Sequence, residues 1–349
     1  MAHPSRPSLG RSHRPVPFRP ARGAALALLA VATVAGSAGA ARAQEFDLRL
    51  IRPMVTVTGT YVPDEDFKDV DGQYGNRNAS FLANIPLGSV HIRTGSGAKI
   101  LASQWMLTMG GGATDQTLDI VARQPRLYNG LFNVSYLFAS HKPNLHYISV
   151  GGSFAEDEDT ISSNLDARVS ALYLGTHRKS DTMTFIYGGA YSFVYGRGLL
   201  LPAFGLIWTP NETWSLTGAV PFFWRLSQKF NEQFRLNYLL YASGQRYGFK
   251  NDNDFAGVTD DKVYERVREQ RLAAEAEYHP ARGFTLLLQA GVAVARRLGF
   301  STLDSSTLDL LDEQIKPAPY ARLAFRFPLG KSVVDELQDR LKDAAGGEP

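Results

Sequence analysis

Glu269, Arg271, Glu275 and Glu277 recur at odd positions of one short stretch, and Leu272, Ala274, Ala276 and Tyr278 take the even positions between and after them. Successive side chains of an extended chain point to opposite faces, so this spacing puts four charges on one face and an apolar row on the other. The same alternation places Arg235, Asn237, Arg322 and Arg326 on the matching face of flanking stretches. Carboxylates and guanidiniums arrayed in this way can do one of two things. They can neutralise one another as a cross-strand ladder that fills and stiffens an interior, or they can present rings of charge that select among passing solutes. With both signs on one face, the second role predicts only weak ion selectivity.

Other candidate chemistry is sparser. Glu156, Asp157, Glu158 and Asp159 form the densest acidic cluster, and hard oxygen donors at that density suit Ca²⁺ or Mg²⁺ and could bridge to anionic lipopolysaccharide. No defined ligand spacing accompanies them, so a solvated, mutually repulsive acidic external loop is expected and no metal site is assigned. His91, His141, His177 and His279 fall near one end of separate segments and are not expected to converge on a metal. No cofactor is implied. The chain lacks G-x-S-x-G, P-loop and H-E-x-x-H motifs and has no cysteine. Ser153, after Gly151 and Gly152, has no base placed beside it, so no catalytic residue and no enzymatic role are expected. Serine-dependent ester hydrolysis would overturn that. Trp208 and Trp214 flank a turn at Pro210–Thr213 and read as interface aromatic anchors, with a sugar-stacking platform as the alternative.

The elements that must position these residues are strands. From Leu127 to Phe138, Phe132, Val134, Tyr136 and Phe138 alternate with Leu131, Asn133, Ser135 and Leu137, and a helix would scatter that pattern around its circumference. Thr182–Tyr195, Pro53–Val62, Ala98–Met109, Phe234–Tyr247, Val267–Tyr278 and Phe284–Arg297 repeat it. Compact turns at 141–144, 178–181, 210–213, 230–233 and 279–283 take turns with long polar loops at Pro63–Asn78, Gly110–Arg126, Ala155–Asp166, Gly248–Arg266 and Leu298–Pro317. Short turns on one side and long loops on the other are the arrangement of an all-β, antiparallel up-and-down transmembrane barrel. Both termini then lie in the periplasm, which requires an even number of strands. Pro221 is disfavoured inside a paired strand, so it marks a tight external turn between Trp214–Val220 and Phe222–Lys229. That gives fourteen strands, with twelve as the fallback, because Pro86 and three glycines interrupt the alternation between Ala79 and Gly97.

Arg6, Arg11, Arg14, Arg19 and Arg22 precede an apolar run from Ala24 to Ala35 and an Ala41-Arg42-Ala43 site, the order of a secretory signal peptide over 1–43. The apolar run is too short for a spanning helix, which needs ~20 residues. The formal net charge is +3, and the leader's arginines account for the excess, so the remainder is mildly acidic and offers nucleic acid no cationic stripe. One barrel domain is expected over 44–327. A periplasmic tail over 328–349 follows, with a short amphipathic helix started by Ser332 and Asp335 and carrying Val334, Leu337 and Leu341.

From Leu200 onward the chain resembles a family of uncharacterised bacterial outer-membrane β-barrel proteins. The matching features are Leu200, Leu201, Pro202, Gly205 and Trp208, the Pro210, Asn211, Trp214 hairpin, Pro221, the Phe230, Asn231, Glu232 turn, the Leu272–Tyr278 strand and the Phe284–Phe300 arm. The resemblance implies an outer-membrane barrel and carries no known substrate or catalytic residue. The chain departs from such barrels at its end, where twenty-two residues follow Phe327, so the barrel-assembly machinery would have to read an internal signal. Outer-membrane lipid and lipopolysaccharide are the expected surroundings. The best functional expectation is a passive pore or a channel for small or hydrophobic solutes. The alternative is a closed-lumen structural barrel whose loops bind a partner or lipopolysaccharide.

Overall fold

Strands that alternate apolar and polar residues bury one face only, and their backbone groups must find partners on neighbouring strands. Tight turns set the order of pairing. In the turn before Trp214, the Asn211 Oδ1 accepts the backbone N–H groups of Thr213 at 3.0 Å and Trp214 at 2.8 Å. Asn231 does the same for Gln233 and Phe234 at 2.8 Å each, an Asx turn in both cases. The computed structural model describes residues 53–92, 100–120, 126–140, 144–163, 167–194, 197–220, 223–251, 262–280, 283–302 and 309–330. The leader, the tail from 331 onward, Pro221, Phe222 and His141 lie outside these residues.

The strands are β1 (Met54–Asp66), β2 (Gln73–Ile92), β3 (Ile100–Leu118), β4 (Leu127–Ser140), β5 (Leu145–Asp157), β6 (Arg168–Arg178), β7 (Met183–Val194), β8 (Arg197–Trp208), β9 (Trp214–Val220), β10 (Phe223–Lys229), β11 (Phe234–Lys250), β12 (Lys262–Tyr278), β13 (Thr285–Ser301), β14 (Asp309–Gln314) and β15 (Ala318–Pro328). A short helix, α1 (Glu158–Ser163), follows β5. Consecutive strands pair antiparallel up to β14, and β15 also pairs with β13. β1 pairs with β15 from Met54↔Pro328 to Tyr61↔Ala321, which closes the sheet into a barrel. β14 and β15 share one place in the wall, pairing with the two halves of β13 (Arg297–Ser301 and Thr285–Ala293). The barrel therefore has fourteen positions, as the even count required. β1 begins and β15 ends at one rim, the terminal rim; the opposite rim is the distal one.

The burial pattern is inverted relative to a water-soluble protein. Val57, Phe81, Phe132, Val150, Phe204 and Leu288 are exposed on the outer face, while Thr58, Asn84, Thr108, Ser135, Asn237 and Gln289 are buried inside. An apolar exterior around a closed sheet belongs in lipid, because closure lets neighbouring strands satisfy one another's backbone groups without an open edge. The chain is a membrane-spanning β-barrel. No helix of the described residues is long and apolar enough to cross a membrane.

One ambiguity is resolved and one expectation needs correction. The stretch around Pro86 is one strand, β2, which pairs with β3 through Pro86↔Met106. Its described pairing with β1 runs only as far as Asn84, and proline is tolerated at a bulge; one at Leu87–His91, with Gly88 at φ +87°, takes up the irregularity. The long polar loops are also in part strand. Tyr74↔Leu118, Lys250↔Lys262 and Arg297↔Gln314 continue the ladders well beyond the apolar exterior. Outside lipid the outer face need not be apolar, so the alternation that reveals a membrane strand disappears while the pairing persists.

A bulge in β13 has consequences for the interior. Its pairing with β12 shifts between Arg268 and Gln270, and Ala295 stands at φ 50°. The inward row runs Leu287, Gln289, Ala293 and then Arg296, Leu298, Phe300, so the extra residue switches the parity. A left-handed conformation costs a non-glycine residue roughly 1–2 kcal/mol. Ala295→Gly is therefore expected to stabilise the refolded barrel by up to about 1 kcal/mol once the greater freedom of unfolded glycine is subtracted, read as a higher urea midpoint. An unchanged or lower midpoint would show that Ala295 is not strained.

Candidate functional site

Among the described residues the interior gathers polar chemistry out of lipid, and its wall has three sectors. β1–β5 present neutral polar side chains. There Thr108 donates to Asn84 Oδ1 at 2.8 Å, and Ser135 meets Ser149 at 2.9 Å and the Tyr147 hydroxyl at 2.8 Å. β6–β9 present apolar ones over their middle: Ala190, Leu201, Ala203 and Ala219 are buried together, with Leu172, Leu174 and Phe223 packed against them, while β6 carries the buried Arg168 and Thr176 toward its two ends. The sector from β10 to β15 is charged.

The charged sector contains the residues singled out by their spacing. Near the terminal rim Glu277 lies 3.5 Å from Arg235 Nη1, 4.0 Å from Arg326 Nη1 and 3.0 Å from His279 Nε2. Asn237 Nδ2 donates to Glu275 at 3.0 Å and to Glu277 at 3.3 Å, and Arg225 approaches Glu275 at 3.7 Å. Further up, Arg271 Nε donates to Glu269 at 2.6 Å, and Arg296 Nε is 3.4 Å from the other oxygen of that carboxylate. Between these levels Gln289 Nε2 donates to the hydroxyls of Tyr241 (2.9 Å) and Tyr320 (2.7 Å), and Arg271 lies over the Tyr320 ring. Arg322 faces inward between Thr60 and Gln289 in the register. Reading single strands brought out neither Arg225 nor Arg296. Alternation within Phe223–Lys229 points Arg225 inward, a signal that was present. The bulge at Ala295 turns Arg296 inward in place of Arg297, and no periodicity could show that.

The distal end is closed by the strands themselves. Phe67, Tyr74, Leu118, Val263, Val267, Leu298, Phe300 and Ile315 form one buried cluster that joins β2–β3 to β12–β13 across the interior. Gln116 Nε2 donates to Glu265 at 2.8 Å, and the hydroxyls of Thr114 and Tyr247 lie 3.2 Å apart. These contacts hold one face of the β11–β12 hairpin against β3. Its other face meets β5 and β6: Gly248 bridges to Glu156, Lys262 Nζ is 2.8 Å and Arg168 3.9 Å from the Glu156 carboxylate, and Arg168 Nη1 donates to the Arg246 carbonyl at 3.1 Å. A Cβ on Gly248 would stand 2.5 Å from Glu156 Oε2 and from Lys262 Cε, so a larger residue would have to push the ends of both side chains aside. The hairpin thus leaves the wall and crosses the mouth. At the same rim Lys316 donates to Asp66 at 2.7 Å, and this bond pushes the Lys316 ammonium above its ordinary pKa.

The acidic cluster is not one solvated loop. Glu156 and Asp157 end β5 and are fully buried, Glu156 in the contacts just described and Asp157 as the cap of α1, where it accepts the Thr160 N–H at 2.8 Å. Glu158 and Asp159 open α1, with Glu158 exposed. Trp208 and Trp214 stand on the outer face beside the β8–β9 turn at the terminal rim, and Trp208 is exposed. Ser153 pairs with Leu131 and Arg168 in the sheet. His177 lies on the outer face of β6, away from His279. Among the described residues no group of three or more His, Cys, Asp or Glu is placed to hold a metal.

Among solved structures, the chain is similar to the Pseudomonas putida toluene transporter TodX (9% identity, TM-score 0.36, covering 79% of this chain and 89% of that one). It is also similar to the KdgM porin in complex with disordered oligogalacturonate (8%, 0.31, 79% and 99%) and to the β domain of the Bordetella autotransporter Brka (8%, 0.28, 79% and 100%). No curated protein matches the sequence. Residues 40–328 match the family described as a domain of unknown function, DUF6268, and the chain belongs to that family.

Proposed function

We propose that this barrel is a channel of the bacterial outer membrane for small solutes with an apolar body. The observation that carries the reading is the division of the interior: Leu172, Leu174, Ala190, Leu201, Ala203 and Ala219 form an apolar wall beside a sector of paired charges. A barrel of fourteen positions is too wide for side chains alone to fill, since about eight strands is where they just suffice. A solute path along the uncharged side is consistent with that room. The paired charges stiffen the adjoining wall. The crossed distal mouth disfavours a wide water-filled pore. The leader's composition supports export, and the short turns at the terminal rim support placing both chain ends in the periplasm. Lipid and lipopolysaccharide are then its surroundings, the assembly machinery acts only during biogenesis, and Ser153 has no chemical part.

The same crossed mouth favours one rival, a closed structural barrel, and uptake separates the two. Cells of a Gram-negative host expressing the protein are expected to take up the apolar fluorophore N-phenyl-1-naphthylamine several times faster than cells without it. Ala190→Asp or Ala203→Asp should return the rate to background while the protein still shows heat-modifiable migration, because a carboxylate in an apolar wall is costly to desolvate. Equal rates with and without the wild-type barrel would leave the closed structural role.

A further inference from the structure

The charged sector is not balanced. Toward the terminal rim the guanidiniums of Arg225, Arg235, Arg322 and Arg326 all face inward, and among the described residues the inward carboxylates at that level are those of Glu275 and Glu277. Arg235 lies 3.5 Å from one oxygen of Glu277, and Arg326 is 4.0 Å from the other. Arg225 comes within 3.7 Å of Glu275, but its Nε, in a residue 8% exposed, has no hydrogen-bond partner. Arg322 stands between the neutral Thr60 and Gln289 in the register, and among the described residues no carboxylate lies within ion-pair distance of it. The next level does not supply the deficit, because Glu269 already meets both Arg271 and Arg296. Arg225 and Arg322 both repel Arg326, so the three side chains reach one part of the lumen although they start from β10 and β15.

Desolvating a guanidinium without a partner is costly, so buried charges are ordinarily paired. Two carboxylates shared among these arginines leave a region with affinity for anions. The planar fork of arginine matches a carboxylate in bidentate fashion, and what adjoins the fork decides the rest of the ligand. The apolar and charged sectors meet on β10, where Phe223, packed against the Ala190–Ala219 cluster, and Arg225 are successive inward residues of one strand. Such positions are about 7 Å apart, roughly the span of an aromatic ring with its substituent. An acid group held by the arginines can therefore lay its hydrocarbon part on Phe223 and the wall beyond it. The excess of positive charge is small beside the paired charges, so it marks a binding site and not a strongly selective pore.

We propose that Arg225, Arg322 and Arg326 form a carboxylate-binding site in the lumen, and that the solutes this barrel prefers are small monocarboxylates with an apolar body. The inference rests on the channel reading above and names the solute class. The probes are 2-naphthoate and 2-naphthamide, which share one ring system and differ in charge. Their binding is titrated calorimetrically at pH 7 to the barrel in lipid nanodiscs, with protein-free nanodiscs as the blank. Arg322→Met keeps much of the bulk and removes the charge, and because no ion pair is broken it should leave the urea midpoint unchanged. Arg297→Met, at an arginine 45% exposed and paired with Asp312 toward the distal rim, is the control.

The wild-type barrel is expected to hold naphthoate at least about tenfold more tightly than naphthamide, as charge-assisted hydrogen bonds to a guanidinium require. Arg322→Met should erase most of that preference by weakening naphthoate alone, and Arg297→Met should keep it. Equal affinity of the wild-type barrel for the two probes overturns the site without recourse to any variant. A preference that survives Arg322→Met places the anion elsewhere and overturns it too. The uptake of N-phenyl-1-naphthylamine, which carries no charge, tests the channel reading separately: uptake without a carboxylate preference sinks the site and leaves the channel, whereas no uptake removes the channel, and the solute class with it.

Discussion

Glu277→Ala is expected to destabilise the refolded barrel by about 3–5 kcal/mol, the cost of removing one partner from a buried charge cluster. The Glu277 side chain is 2% exposed and shared among Arg235, Arg326 and His279. Its loss leaves two guanidiniums on one wall without the carboxylate that faces both. Urea unfolding in detergent or lipid reads the effect as a lowered midpoint at unchanged slope. Replacing Arg235 and Arg326 with methionine and Glu277 with leucine together should recover most of the loss, since well-packed apolar residues often substitute for a buried ion pair at little cost. A change below about 1 kcal/mol for the single variant would mean that water screens the cluster as it does a surface pair. The charged sector would then line an aqueous path rather than a stiffened wall.

The second large effect concerns the mouth. Replacing Arg246–Arg266 with Asn-Gly joins Gln245 to Val267, which face each other in the ladder, through a two-residue turn of the kind that closes hairpins. The variant loses Tyr247, Val263 and Glu265, and with them the contacts to Thr114, Gln116 and the distal cluster. It also loses Gly248 and Lys262, which meet Glu156. In planar bilayers the wild-type barrel is expected to be silent or nearly so, and the shortened one to show discrete conductance steps of weak ion selectivity, because both signs of charge face the opened lumen. Heat-modifiable migration of both proteins confirms that the barrel is closed. Steps of equal size from the two would mean that the hairpin does not obstruct the path, and silence from both would place the constriction lower, among the paired charges.

Much of this was legible in the chain. Two-residue alternation is a local property, so Leu127–Phe138 and Leu272–Tyr278 declared their lipid and interior faces without knowledge of their neighbours. Glu269, Arg271, Glu275 and Glu277 were assigned inward on that basis, and the hairpin turns at Asn211 and Asn231 carry their own chemistry. Parity and turn spacing together determined an even barrel of fourteen positions, split correctly at the Trp214–Val220 segment. The structure alone decided which charges meet. Partners such as Arg235 and Glu277 sit on different strands, and their approach depends on register; the turn to Arg296 depends on a bulge at Ala295 that leaves no trace in hydrophobic period. The fate of Glu156 and Asp157 shows the same limit most sharply. Four consecutive acids read as a solvated loop, yet two of them are buried, because a hairpin from the far side of the barrel brings Lys262 and the bare backbone of Gly248 against them. The closed mouth arises in the same way, from a long hairpin bending across the interior, and alternation along one strand says nothing about how far its neighbour extends.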